Sequence, residues 1–593
     1  MNIPQRVSAL RELMMQNGID VWIITGTDPH LSEYQAERWS SRGWISGFTG
    51  SAGVVVITAN RAGLWTDFRY FIQATAQLEG SGIQLFKTGM PDVPDYREWL
   101  ATVVDENATI GFDGHCMSLE NYRTLSKKLS GKQFIFETDL LNNIWENRPA
   151  VPLNSVFIHE EAYAGESRQS KIARLRSEMA EMLVESTVIA MLDDIAWLFN
   201  LRGSDMKYTP LFIAYALVTQ SRVSLYIDSA KVPEDVAIAL QADGIELKNY
   251  KTLLEDLATT TGKITFDPKK VSVLLKSAIP DNCDKLEKSG LVEKLKAIKN
   301  DTQIEGFRQS HIRDGVAMVR WARWLKTSLG SLSLNEWNVA EKLTEFRAEE
   351  DLFHSLSFNT ICGYGANGAI VHYSADKENP AEIQADNLLL IDSGGQYFDG
   401  TTDVTRTLAL GKPTEQQVYD YTMVLKAHLA LAMCRFPEKT NGAVLAGITQ
   451  AVMWQAGLNY GHGTGHGVGH FLGVHEGPQI INPRSAETNF ESSMVVSNEP
   501  GIYREGKYGI RIENLIVVRK PETTEFGEFL SFETLTMCPY ESVLIDTNLL
   551  NNVEIEWINA YHREVFEKVS PLLEEADKNW LAEATRPIKR FKI

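Results

Sequence analysis

Two stretches in the first half of the chain follow one plan, and any fold has to accommodate both copies. The first opens with the amphipathic "RVSALRELMMQNGIDVWIIT" and continues through "GWISGFTGSAGVVVITANRAGLWTDFRYF", which reads as strand, turn, strand. The second opens with "KIARLRSEMAEMLVESTVIAML" at Lys171 and continues through "DDIAWLFNLRGSD" to "LFIAYALVTQSRVSLYID". Each copy has a helix, an aromatic and glycine segment, and a hairpin that ends in Asp67 or Asp228. A repeat this widely spaced predicts two similar α/β domains and argues against a short-period solenoid. Helices interleaved with strands place the chain in the α/β (α+β) class.

With 593 residues the chain exceeds one core, because domains usually hold about 100–200 residues. The linker "PAVPLNS" (Pro149–Ser155) and the boundary "KLKAIKNDTQ" (Lys294–Gln303), where a long helical pattern begins, predict divisions at 1–154, 155–300 and 301–593. A formal net charge of -19 without a concentrated basic patch disfavours nucleic acid as a partner. The basic end "RPIKRFKI" is short and is expected to be a solvated tail. No run approaches the roughly 20 apolar residues of a membrane span, and the start lacks the apolar core of a signal peptide. Five scattered cysteines, none in a CxxC pair, predict free thiols in a reducing compartment, the cytoplasm.

The chemistry gathers in residues 301–593. In "LLLIDSGGQYFDGTTDVTRTL" (Leu388–Leu408), four apolar residues predict a buried strand that Asp392 ends, and "TTDVTRTL" predicts a second strand carrying Asp403. An ionised aspartate beside such a run is costly to bury unless it meets a cation. The alternative local reading is that Asp392 starts a turn, with Asp399-Gly400 as a tight hairpin. That hairpin would set Gln396 opposite Asp403, so the two aspartates would face each other only across a wide loop. In "SMVVSNEPGIYREGKYGIRIENLIVV", Glu499 stands between an apolar strand and a Pro-Gly turn. Alternation along "GIRIENLIVV" aligns Gly509, Arg511, Glu513 and Leu515 on one face, where Arg511 and Glu513 could simply pair in solvent. "GHGTGHGVGHFLGVHEGP" holds His462, His466, His470 and His475. The first three match one helix face in spacing, but the glycines between them disfavour a helix. They favour strand and loop, with backbone and substrate approaching an ion closely.

Asp392, Asp403, Glu499, Glu513 and one histidine would together form an oxygen-rich cluster with four negative charges. Convergence of that kind is prohibitive without cations, and two divalent ions balance it. Such donors favour manganese, cobalt or magnesium over a thiolate-type zinc site, with zinc left open. Paired ions share a water, lower its pKa and polarise a carbonyl, which is hydrolase chemistry.

The ordered set Asp392, Asp403, His466, Glu499 and Glu513 resembles the pita-bread metallopeptidases, the group of methionine aminopeptidase, prolidase and aminopeptidase P. "DSGGQYFDGTTDVTRT", "GHGTGHGVGHFLGVHEGP" and "NEPGIYREGKYGIRIEN" are similar to the three-domain, cytosolic-type Xaa-Pro aminopeptidases in particular. The eight residues between His466 and His475, a longer interval than in prolidases, and the duplicated N-terminal half favour that branch. The resemblance covers nearly the whole chain and implies two creatinase-like domains ahead of a pita-bread catalytic domain.

It further implies that Asp392 and Asp403 bind a first metal, that Asp403 and Glu513 bridge, and that His466 and Glu499 complete a second. Manganese is the expected metal, with cobalt or zinc as alternatives. A metal-bridging hydroxide would be the nucleophile, with Glu499 its proton acceptor and His475 the donor to the developing oxyanion. His372, in "GAIVHYSA", and His462 would line the substrate site, and Arg511 would orient the carboxylates. His470 receives no role. The implied substrates are peptides with proline at position 2, whose tertiary nitrogen defeats general aminopeptidases, and the implied assembly is a homodimer. A prolidase confined to dipeptides, a non-catalytic binding module and a metal-free creatinase-like hydrolase are the competing readings. The five retained ligands argue against the last two.

Overall fold

The computed structural model describes residues 1–590, in two compact units: residues 1–159 with 166–292, and residues 160–165 with 293 onward.

In the first unit the repeat becomes two six-stranded sheets of the same wiring. Helix α1 (Ile3–Gln16) starts at an Asn2–Gln5 capping box and buries Val7, Leu10 and Met14 along one stripe. The first sheet contains β1 (Val21–Ile24), β2 (Val54–Thr58), β3 (Ala62–Thr66), β4 (Gln84–Lys87), β5 (Thr109–Phe112) and β6 (Gln133–Ile135), in the order β4-β3-β2-β1-β5-β6. The second copy opens with α2 (Arg168–Glu181). Its strands are β7 (Ser186–Ile189), β8 (Tyr215–Thr219), β9 (Val223–Tyr226), β10 (Ile245–Lys248), β11 (Lys263–Phe266) and β12 (Asp284–Glu287), in the order β10-β9-β8-β7-β11-β12. In both sheets the two pairings about the hairpin are antiparallel and the other three are parallel. Asp67 and Asp228 follow the two hairpins, and each accepts a backbone N–H two residues on to start a short helical turn.

One local expectation fails. "GWIS" lies in a short helix, Ser41–Ser46, and the strand-turn-strand pattern begins only at Val54. That helix stops at Gly47, whose φ of +77° is a left-handed conformation that glycine adopts without strain.

His30 is fully buried in this unit, with Nδ1 2.8 Å from the Ala190 carbonyl and Nε2 3.0 Å from the Tyr250 hydroxyl. Burial pushes its pKa from 6.5 down to about 3. The folded ring stays neutral while the unfolded chain takes up a proton. Its contribution is therefore complete above the unfolded pKa and is lost as pH falls toward the folded one. The melting temperature of this unit should fall between about pH 7 and about pH 5, and His30→Gln should flatten that slope. A slope unchanged in the variant would show that His30 does not contribute.

The second unit takes up the chain within α3 (Leu291–Ala297) and continues into α4 (Asp301–Ser328), which starts at an Asn300–Gln303 capping box. Strands β13 (Ile361–Tyr364), β14 (Leu388–Ser393) and, farther along, Val404–Ala409 form a sheet with β14 buried at its centre. Leu389, Ile391, Val404 and Leu408 join Trp321 and Leu325 of α4 in one core cluster. The opposite face of the sheet carries Asp392, Thr405 and Thr407, by the two-residue alternation of a strand.

Between its long strands the chain forms β15 (Gly395–Tyr397) and β16 (Gly400–Thr401), and Val404–Ala409 is β17. The hairpin is tight after all, but it turns at Phe398-Asp399, so Gln396 pairs with Thr401. Asp392 stands opposite Thr405, which leaves Asp403 as a diagonal neighbour on the same face. A wide loop is unnecessary, because diagonal side chains on one face lie within reach.

Two further helices, α5 (Glu415–Ala432) and α6 (Gly442–Gln455), precede β18 (Gly465–His466). Then come β19 (Val495–Asn498), β20 (Gly501–Arg504), β21 (Tyr508–Arg511) and β22 (Asn514–Val518). "GIRIENLIVV" is therefore two strands rather than one face. β21 pairs with β20 and β22 pairs with β19, and the chain changes partners at Ile512-Glu513. Arg406 Nη1 holds that junction by donating to the Glu513 carbonyl at 2.7 Å.

All five cysteines are free, four of them buried. Among the described residues no helix is long and apolar enough to cross a membrane. Arg586, Lys589 and Arg590 of the basic tail are exposed, and Phe591 to Ile593 lie outside the described residues.

Candidate metal centre

The Asp392 face of the β14–β17 sheet meets the junction at Glu513. Asp392 Oδ2 accepts from Arg511 Nη2 at 2.5 Å. Glu513 Oε2 accepts from the Thr405 hydroxyl at 2.7 Å, and Arg511 Nε lies 3.2 Å from the same hydroxyl. Asp392, Asp403, Arg511 and Glu513 are all buried. Donor atoms of Asp403, His466 and Glu513 lie within 4.8 Å of one another.

His466 arrives on β18, where its N–H donates to the Ser497 hydroxyl at 2.9 Å. Its Nδ1 is 3.1 Å from the Gly467 carbonyl. A carbonyl only accepts, so Nδ1 carries the proton and Nε2 of the neutral ring presents its lone pair. That nitrogen lies 3.5 Å from Asp403 Oδ2 and 3.5 Å from Glu499 Oε1. Three acceptors thus converge at a separation too long for charge-assisted hydrogen bonds of about 2.7–2.9 Å. It is of the order expected for donors that share an ion at about 2.0–2.2 Å each.

Two further observations fit divalent cations to these residues. Asp392 Oδ1, Asp403 Oδ1 and Glu513 Oε1 are buried without a hydrogen-bond partner among the described residues, a costly state for an acceptor. Burial, then the charges of Glu513, Asp392 and Glu499, raises Asp403 well above the usual carboxylate range. Burial, then Glu499 and Asp392, does the same to Glu513. The protein alone cannot keep all four carboxylates ionised. A bound dication reverses that, favouring the charged form of each.

The histidines divide by position. The His475 ring lies edge-on to that of His466, with centroids 4.3 Å apart. His462 Nε2 is 2.8 Å from the Tyr503 hydroxyl, which accepts from Arg511 Nη1 at 2.7 Å. A chain of bonds therefore runs from His462 through Tyr503 and Arg511 to Asp392. His372 follows Val371, whose carbonyl is 3.4 Å from Arg511 Nη2. His470 is buried and packs edge-on against Phe307 of α4, with centroids 5.4 Å apart.

Metallopeptidase family M24 matches residues 305–520 and its C-terminal region matches 528–588. The creatinase/prolidase N-terminal domain matches twice, at 6–144 and 147–303. A probable Xaa-Pro aminopeptidase P of Laccaria bicolor is 43% identical, over 99% of this chain and 94% of its own length. The chain belongs to metallopeptidase family M24. Aminopeptidase P2 of Arabidopsis thaliana is 39% identical to this M24 chain over 99% of it and 89% of the relative. The crystal structure of an X-prolyl aminopeptidase from Caenorhabditis elegans, described as a cytosolic enzyme with a di-nuclear active site, superposes with a TM-score of 0.95. It is 32% identical and covers 99% of this chain and 100% of that one. The fold is thus mixed α/β, with two creatinase-like domains and a pita-bread M24 domain.

Sequence reasoning missed Tyr503, Thr405 and Ser497 in this M24 site. Tyr503 had a legible signal. Folding "GIYREGKYGIR" about Gly506, whose φ is +72°, sets Tyr503 opposite Gly509 and diagonal to Arg511. Thr405 follows from the period-2 reading once Asp403 is accepted as a ligand. Ser497 had no local signal.

The purified protein should carry about two divalent ions per chain, and Glu513→Ala should lose most of that complement in elemental analysis. A variant that keeps both ions would remove Glu513 from the ligand set.

Proposed function

We propose that this chain is a dinuclear metal-dependent Xaa-Pro aminopeptidase, which releases the N-terminal residue from peptides with proline at position 2. The observation that carries the reading is the gathering of Asp403, Glu499 and Glu513 about the lone pair of His466, with Asp392 beside Asp403. Full-length relatives named as Xaa-Pro aminopeptidases support the substrate class. Asp392 and Asp403 would hold one ion, His466 and Glu499 the other, with Asp403 and Glu513 shared. Manganese is the proposed metal, and cobalt or zinc the alternatives, because oxygen donors with one imidazole suit them.

When bound, the ions supply Lewis acidity at the scissile carbonyl and acidify water. The chain's own groups do the rest. Glu499 takes a proton from the attacking water and later returns one to the proline nitrogen, as a carboxylate within reach of both can. His475 donates a hydrogen bond to the oxygen on which charge develops. Arg511 fixes Asp392 and, through Tyr503, orients His462 at the substrate side. His372 stands on the turn beside Arg511 and lines the same space.

Three further assignments belong to this reading. The matches at 6–144, 147–303 and 305–520 support divisions at 1–154, 155–300 and 301–593. Free cysteines support the cytoplasm, as does the cytosolic description of the nematode enzyme. A homodimer is supported by α6, which has no charged residue and leaves Val444 and Trp454 58% and 57% exposed.

Arg-Pro-Pro assayed beside an Xaa-Pro dipeptide tests the activity. The tripeptide should be cut between arginine and proline, and chelation should abolish turnover that Mn²⁺ then restores. Cleavage of the dipeptide alone would make the chain a prolidase. Metal-loaded protein inert toward both would leave a binding module.

A further inference from the structure

One buried ion pair beside the histidine stretch has no task in the mechanism above. Lys296, on α3, sets Nζ 3.2 Å from Glu476 Oε2, and the two side chains are 1% and 2% exposed. Taking two charges out of water is unfavourable unless their geometry repays it, so a protein that retains such a pair uses it for something other than bulk burial.

The bonds of Glu476 locate that use. Its N–H donates to the Gly467 carbonyl at 2.8 Å. Its Oε1 accepts from the Gly473 N–H at 2.9 Å. Its Oε2 faces Lys296. The Gly467 carbonyl is the same one that takes the Nδ1 proton of His466, the bond that leaves Nε2 aimed at the carboxylates. His475 is the residue before Glu476, and its ring lies against that of His466. Space around Glu476 is minimal. A Cβ on Gly467 would fall 2.0 Å from its carbonyl oxygen, and one on Gly469 would fall 2.3 Å from its Oε1. The loop closes around this one side chain, and Lys296 anchors it from a separate helix.

We infer that Glu476, clamped by Lys296, is a positioning residue for His466 and His475, holding the first as an Nε2 donor and the second beside it. The inference rests on the proposed reading of the site. Glu476 touches no reacting atom. It acts through the Gly467 carbonyl and through its chain neighbour, as groups behind metal ligands do. Removing the Lys296 charge takes away a cation that Glu476 meets at 3.2 Å while both are buried, a change that is costly at a buried carboxylate.

The test compares wild type with Glu476→Gln, Lys296→Met and the double variant. Glu476→Gln is nearly isosteric and keeps an acceptor for Gly473 while losing the charge that Lys296 meets. Three quantities are read: affinity for Mn²⁺ titrated into the metal-free protein, kcat and KM on Arg-Pro-Pro, and melting temperature. Each single variant should weaken Mn²⁺ binding, or lower kcat, by about 10–100-fold with KM little changed. The double variant should be no worse than the weaker single, since the two residues act as one unit. Should Lys296→Met fail to fold, Glu476→Gln decides alone. Affinity and kcat within about twofold of wild type, including the case where only the melting temperature drops, would make the pair structural and overturn the inference. Wild type that binds no Mn²⁺ or leaves the tripeptide intact would instead overturn the proposed function, and this inference with it.

Discussion

Asp403, Glu499 and Glu513 gathered about the His466 imidazole, with Asp392 beside Asp403, form the constraint on which the catalytic unit depends. Mutual repulsion and burial raise the protonation range of Asp403 and Glu513, so the arrangement is self-consistent only around cations. Everything nearby serves to keep it in place. The β14–β17 ladder puts Asp392 and Asp403 on one face, and Arg406 pins the backbone at Glu513. Arg511 donates to the Asp392 carboxylate, and its other side-chain bonds reach Tyr503, Thr405 and the Val371 carbonyl.

The fold was legible where periodicity was unambiguous. The duplicated helix and hairpin plan predicted two α/β copies, and the sheets carry it down to the sense of every pairing. The proposed ligand set was also legible, because each of its members stands at an apolar strand's end or beside glycine, where a buried charge needs a reason. Register was not. The wide loop expected between Asp392 and Asp403 assumed a turn at Asp399-Gly400, and moving the turn by one residue changes every cross-strand partner. The apparent single face of Gly509, Arg511, Glu513 and Leu515 failed for a tertiary reason: β21 and β22 belong to different sheets, so alternation is interrupted where the ligand sits. Tyr503 shows the opposite case, a residue recoverable from the hairpin's symmetry about Gly506.

The histidine stretch now has a division of labour. His466 faces the carboxylates, His475 stands beside it, His462 closes the Tyr503–Arg511 chain, and His470 is core packing against Phe307. Three of its glycines, Gly465, Gly467 and Gly469, make room for neighbouring protein atoms. A Cβ at Gly465 would lie 1.9 Å from the Ser497 carbonyl, so this glycine exists to let the segment lie flat on its neighbouring strand. Close approach here is protein to protein, which gives a glycine-rich loop a fixed shape.

The central claim is that His466 presents Nε2 to ions held by Asp392, Asp403, Glu499 and Glu513. Anomalous diffraction at the metal edge, from crystals of the Mn²⁺-loaded protein, tests it most directly. The account predicts two anomalous peaks among the four carboxylates, one of them bonded to His466 Nε2 with Nδ1 still on the Gly467 carbonyl. Peaks elsewhere, or a His466 turned to coordinate through Nδ1, would contradict it.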